Sequence, residues 1–153
     1  MTAREIAWSD VAARLKSARS YWLATCDAGG SPHVSPVWGA VVAEGLHLFS
    51  ERRTVKARNV AANPQVAIHL ESAEDVVIVR GVLEDLGAPG QRPDVLAALE
   101  AKYDAPEDAG YLPTADPDFD VLWRLRPGIA LLWRLDDYDT SQERWRAKPA
   151  ASR

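Results

Sequence analysis

Cations crowd the segment SERRTVKARN, residues 50–59, which holds Arg52, Arg53, Lys56 and Arg58. A strand pattern, LHLFS, gives way here to a helical one, TVKARNVAAN, so Thr54 is expected to be the helix N-cap and Lys56 to fall in the first turn. A helix N-terminus already presents unpaired N–H groups and a partial positive charge, and each added cation costs roughly 0.3–1 kcal/mol. Asp or Glu would serve stability better. Two readings follow: the cluster holds an anion that is not part of the chain, as helix N-termini hold phosphates, or it is a solvated basic face.

The other reactive residues fit no catalytic template. GGSPH lacks the spacing and the strand-to-helix context of a nucleophile elbow. Neither a Walker A loop nor a G-x-G-x-x-G occurs, and GAPGQRPD is a single Gly-rich loop opening a helix. His33 and His47 lie on the two arms of one expected hairpin, and His69 lies on a later strand. With the turn near Glu44, His47 pairs close to Val41 or Val42, several residues from His33, so no metal site is expected. Trp22, Trp38, Trp123 and Trp133 fall on strand patterns and are expected in the core. Trp145 stands alone in the polar tail SQERWRAK and is expected to dock onto something.

The elements that must position these residues read as follows. Ser9 is expected to cap a helix whose Val11, Leu15 and Ala18 form one apolar stripe. YWLATC is a buried strand, DAGGSP a turn, and HVSPVWGAVV a second strand reversed by Ala43, Glu44 and Gly45 into LHLFS. Pro64 ends the basic helix at Asn63, because the residue before proline is pushed out of helical geometry. QVAIHLE and DVVIVRGVLEDL are strands, the second with Gly81 as a bulge or close approach. PDVLAALEAKY is a helix begun by Pro93, with Val95, Leu96, Leu99 and Tyr103 on one face. A Pro- and Asp-rich stretch, residues 105–120, is a lid or a connector, and VLWRLRP and IALLWRL complete the sheet. About six or seven strands joined by short turns, with three helices among them, favour a mainly antiparallel β-barrel with α-helices on its ends.

Composition sets the context. The 153 residues make one domain, and 47% hydrophobic with 26% charged residues is a globular balance. A net charge of -4 argues against nucleic-acid binding, which needs a basic balance. A single cysteine, Cys26, forms no intrachain disulfide, and no segment is long and apolar enough for a membrane or a secretory leader. A soluble cytoplasmic protein is expected.

The order YWLATCD, PHVSPVWG, hairpin, LFSERRTVKARNVAANPQVAIHLE, VVIVRGVLEDL and terminal RWR resembles the pyridoxamine 5′-phosphate oxidase-like split β-barrel proteins, over nearly the whole chain. Within them it is most similar to the F420-dependent reductase branch. The resemblance implies one FMN-binding-type split-barrel domain over residues 1–153 and a homodimer with a cofactor site at each end of the interface. It implies that Ser50, Arg53, Lys56 and Asn59 grip the cofactor phosphate, with Thr54 and Arg58 in support. Ser35, Pro36, Val37 and Trp38 would run along the tricyclic ring, and Trp145 would approach from the partner chain. The tail here reads ERWRA where the family commonly has Thr-Arg-Trp-Arg-Phe.

The function implied is hydride transfer from coenzyme F420, a deazaflavin, to a small conjugated organic substrate. The chemistry would belong to the cofactor, which fits the absence of an acid–base template; no catalytic side chain is assigned. The alternatives are an FMN-dependent oxidoreductase, since the phosphate grip serves both cofactors, and a non-catalytic carrier or sensor of flavin, haem or tetrapyrrole. For haem, His33, His47 and His69 are the candidate ligands. No nucleic-acid or membrane partner is expected.

Overall fold

Alternating burial along a strand shows which face it gives to the core, and the computed structural model, which describes residues 2–149, follows that rule closely. In chain order the strands and helices are β1 (Arg4–Glu5), α1 (Trp8–Ser17), β2 (Tyr21–Cys26), β3 (Pro32–Val37), β4 (Gly39–Val42), β5 (Gly45–Ser50), α2 (Val55–Ala62), β6 (Gln65–His69), β7 (Asp75–Asp85), α3 (Pro93–Lys102), β8 (Val121–Arg134), α4 (Tyr138–Ser141) and β9 (Glu143–Arg146). Strand β2 pairs with β3 on one edge and β6 on the other, β6 with β7, and β7 with β8, all antiparallel. Strand β4 pairs with β5, and β5 with β8. Because β4 continues from β3, these pairings close a ring, giving the β-barrel with helices that the sequence predicts.

HVSPVWGAVV is not one straight strand. It breaks at Trp38, where the chain leaves β2 and takes β5 as its partner. Gly39 permits the turn, since a Cβ there would lie 2.2 Å from the carbonyl oxygen of His47. The hairpin turn is tighter than predicted: Ala43 and Glu44 both have positive φ, as a two-residue primed turn requires, and His47 pairs with Ala40 rather than with Val41 or Val42.

VLWRLRP and IALLWRL form a single strand, β8. Gly81 pairs with Pro127 and Arg80 with Ile129, so Gly128 is the extra residue of a bulge. The inward side chains therefore change parity, from Val121, Trp123 and Leu125 before the bulge to Ala130 and Leu132 after it. Gly81 is a close approach, as predicted, with space for a Cβ only 2.3 Å from the Arg126 carbonyl oxygen.

The barrel interior is filled by Leu23, Leu46, Leu48, Ile68, Val79 and Trp123 and closed by Val11 and Leu15 of α1 and Ala57 and Val60 of α2. A second cluster lies outside β4, β5 and β8, where Val95, Leu99 and Tyr103 of α3 cover Ala40, Phe49 and Leu122. Helix α1 begins two residues earlier than a Ser9 cap implied: Ala7 is the N-cap, and Asp10 accepts a hydrogen bond from the Ala7 N–H at 3.1 Å. Helix α4 and the short parallel pair β1–β9 were not foreseen. Of the tryptophans expected in the core only Trp123 is fully buried; Trp22 is 38% exposed on the outer barrel face. Among the described residues no helix is long and apolar enough to cross a membrane.

Candidate functional site

The basic segment is resolved into paired and unpaired charges. Arg52 makes a two-pronged ion pair with Asp85 at 2.8 and 3.0 Å, and its backbone N–H donates to Asp120. Arg53 donates to Glu51 at 2.5 Å and lies 3.8 Å from Asp118, while Arg58 donates to the Arg53 carbonyl at 2.9 Å. Much of the charge that seemed to need an external anion is thus met by carboxylates of the chain itself. Lys56 is different. It is half-buried, forms no ion pair among the described residues, and burial pushes its pKa below the ordinary lysine value, with Glu51 partly opposing the shift. A desolvated ammonium without a counter-ion favours an arriving anion.

Thr54 caps α2 as predicted, accepting from the Ala57 N–H at 3.3 Å. Its hydroxyl lies 3.5 Å from that of Ser50, which is 4% exposed. Asn59 is spent on structure: its amide donates to the Thr25 hydroxyl at 3.0 Å and ties α2 to β2.

Ser50 and Lys56 line a cavity of about 240 Å³ together with Pro36, Val37 and Trp38. Two stretches separated in sequence, the SPVW strand end and the start of the basic helix, therefore meet at one site. Ser35, just before them, does not line the cavity; its hydroxyl is buried and has no hydrogen-bond partner among the described residues. Arg53 and Arg58 are exposed and do not line the cavity. Neither does Trp145, which packs against Trp8 of its own chain at 4.8 Å between ring centroids.

Phe49, Tyr111 and Phe119 complete the lining and were not singled out from the sequence. Tyr111 and Phe119 are large aromatics in a Pro- and Asp-rich stretch, the same signal that drew attention to Trp145. The cavity thus has a cationic, hydroxyl-bearing end and an aromatic remainder. That composition suits a flat ring carrying an anionic group.

The histidines are dispersed. His47 is 2% exposed, and its Nδ1–H donates to the Gly45 carbonyl at 2.9 Å. His69 Nδ1–H donates to the Leu70 carbonyl at 2.7 Å, leaving Nε2 as the ring nitrogen with a free lone pair, beside Trp22 on the outer face. No cluster of three or more potential metal ligands occurs among the described residues. A larger groove of about 560 Å³ crosses that outer face between Ala24, Ala67, Val82 and Ile129; it is mainly apolar and holds no constellation of reactive groups.

The family profile for pyridoxamine 5′-phosphate oxidase matches residues 8–126. No curated protein matches the sequence. Among solved structures, a conserved hypothetical protein from Mycobacterium tuberculosis is 21% identical with a TM-score of 0.67, covering 99% of this chain and 94% of its own. An F420 reductase is 29% identical with a TM-score of 0.61, covering 76% of this chain and 91% of its own. A heme binding protein from Mycobacterium smegmatis is 24% identical with a TM-score of 0.65, covering 86% of this chain and 55% of its own.

Proposed function

The chain belongs to the pyridoxamine 5′-phosphate oxidase-like split-barrel family, and on that premise we propose that it is a coenzyme F420-dependent oxidoreductase that transfers a hydride to a small conjugated organic substrate. The observation that carries this reading is Lys56: a half-buried ammonium without a counter-ion, at the polar end of an aromatic-walled cavity. Similarity to an F420 reductase supports the choice of deazaflavin.

In this reading Lys56 and Ser50 hold the cofactor phosphate, Thr54 orients the Ser50 hydroxyl, and Arg53 and Arg58 add long-range attraction at the rim. Pro36, Val37 and Trp38 lie along the ring. When bound, the reduced deazaflavin supplies a hydride, and solvent supplies the proton that completes the two-electron reduction. The chain's own task is to hold the ring, exclude water from its apolar side and fix the substrate against it.

The proposal includes a homodimer. Trp22, Val34 and Val82 are 38%, 52% and 37% exposed on the outer face of β2, β3 and β7, an apolar surface that a second copy would cover. Trp145 takes part in the site only if β9 of one protomer lies beside the cavity of the other.

Titrating cofactor-free protein with oxidised F420 and with FMN tests the reading. Lys56→Ala should weaken F420 binding about 10- to 100-fold, as expected for a charge-assisted hydrogen bond, with little change in the unfolding midpoint. Unchanged affinity removes the phosphate assignment, and preference for FMN moves the chemistry to flavin. Haem carriage is a second reading, favoured by the free Nε2 of His69 on an apolar face. A Soret band on haem addition that is lost in His69→Ala would support it.

A further inference from the structure

The stretch from Asp104 to Asp120 carries six acidic residues, Asp104, Glu107, Asp108, Asp116, Asp118 and Asp120, and no Lys or Arg. It also sends two aromatic side chains to the cavity. Tyr111 meets Trp38 edge-on at 6.2 Å, and Phe119 meets Phe49 edge-on at 5.0 Å. Tyr111 is 65% exposed, an unusual place for a large ring unless something packs against it.

This stretch is latched to the barrel. Asp108, 5% exposed, accepts from Arg19 Nη2 at 2.8 Å, and its carbonyl accepts from the Tyr111 N–H at 2.9 Å. Arg19 is held in turn. Its carbonyl accepts from the Tyr103 hydroxyl, and its guanidinium lies 5.1 Å from the centre of the Trp38 ring. Trp38 and Tyr103 stack at 4.2 Å with 7° between their planes. Tyr103, Trp38, Arg19, Asp108 and Tyr111 therefore form one continuous set of contacts.

We propose that Tyr111 is the specificity-determining residue of the cavity, that Arg19 and Asp108 position it, and that the substrate selected is flat and uncharged. The proposal rests on the cofactor reading in one respect: Lys56 is engaged by phosphate. With Lys56 so engaged, the remaining lining offers no charged partner, so a charged substrate would lose its hydration without compensation. Nor does the stretch around Tyr111 offer an anion a counter-charge, because the arginines that touch it, Arg19 and Arg53, are already paired with Asp108 and with Glu51 and Asp118. A neutral aromatic or quinone-like ring keeps its contacts with Tyr111 and Phe119 and does not incur that cost.

Two redox-inert fluorescent probes, neutral 2-naphthol and anionic 2-naphthoate, separate these terms by anisotropy titration at pH 7. F420-loaded protein is expected to bind 2-naphthol about tenfold or more tightly than 2-naphthoate. Tyr111→Phe should keep that preference, Tyr111→Ala should lose about three- to tenfold of the 2-naphthol affinity, and Asp108→Asn should fall between them. F420 affinity is measured separately for each variant, and every probe titration is run with F420 saturating, so that the change in 2-naphthol affinity is read on loaded protein. Equal binding of the two probes overturns the proposal. So does a Tyr111→Ala protein that binds 2-naphthol as tightly as the parent, or a loaded protein that binds none. If F420 fails to bind, the cofactor reading falls, and because Lys56 is then free to hold 2-naphthoate, the role of Tyr111 is decided on cofactor-free protein by the 2-naphthol affinity of Tyr111→Ala alone: a three- to tenfold loss keeps it and no loss overturns it.

Discussion

The barrel has two outer faces that the chain treats differently. Outside β4, β5 and β8, the apolar side chains Ala40, Phe49 and Leu122 are sealed under α3, with Val95 and Leu99 each fully buried against them. Outside β2, β6 and β7, side chains of similar character, Trp22, Ala67, Ile78 and Val82, have no helix over them and keep part of their surface in water. Both faces are too apolar to be ordinary solvent faces of an antiparallel sheet. The first is completed by the chain's own helix, and the second is the face that the proposed homodimer would cover. The candidate cavity lies where β3 bends into β4, at the seam between them.

The largest effect should come from opening the covered face. Leu99→Ala removes a fully buried side chain from α3, and a loss of about 2–5 kcal/mol is expected in urea unfolding followed by circular dichroism. Ile78→Ala on the bare face, measured at a concentration where the protein is monomeric, should cost less than half as much. Equal losses would mean that the two faces do not differ in the way their packing indicates.

A charge on the bare face gives the next largest change. In a symmetric pair Val82→Arg sets a cation on a surface that meets itself, and like charges brought together cost several kcal/mol of association. Sedimentation velocity should show the parent as a dimer and Val82→Arg as a folded monomer. A monomeric parent would leave the bare face without its proposed partner. The same substitution should leave the stability of the isolated monomer almost unchanged, because Val82 is already 37% exposed there.

How much of this was legible in the sequence depended on the range of the signal. YWLATC and QVAIHLE read as strands and are strands, and Thr54 read as a cap because its hydroxyl suits one. The Ser50–Lys56 stretch was singled out by its local charge and SPVW by the family resemblance, and Pro36, Val37 and Trp38 share a cavity with Ser50 and Lys56. What was missed involves pairing at a distance. A period of two runs on through Trp38 without announcing that the strand changes partners, and through Gly128 without showing that the inward parity flips. The carboxylates that neutralise Arg52 and Arg53 include Asp85 and Asp118, which no local pattern connects to the basic helix. Tyr111 and Phe119 lie in a stretch without periodicity, so only their size in polar surroundings marked them.

The smallest effect lies at the seam and depends on pH. Lys102, the last residue of α3, donates to the Gly39 carbonyl at 2.7 Å and the Tyr21 hydroxyl at 2.9 Å, and burial, with Arg19 nearby, lowers its pKa to about 8. The unfolded chain keeps this proton up to about pH 10.4. Between about 8 and 10 unfolding therefore takes up a proton, so the cost of burying the charge, complete below the folded pKa, is relieved and stability rises with pH. Above about pH 10 the slope reverses, because burial raises Tyr21 and carries Tyr103 to about 12, and the unfolded tyrosines ionise first. Lys102→Met should abolish the rise and keep the fall. At pH 7 two effects oppose each other and the net change should stay within about 1–3 kcal/mol: the cost of the buried charge is relieved, while the Gly39 carbonyl loses its donor, since the one Tyr103 proton is given to the Arg19 carbonyl; Tyr21 still donates to the Leu15 carbonyl. A rise between pH 8 and 10 that survives in Lys102→Met would assign the proton to another group. The join between α3 and the bare face would then owe nothing to this lysine's charge.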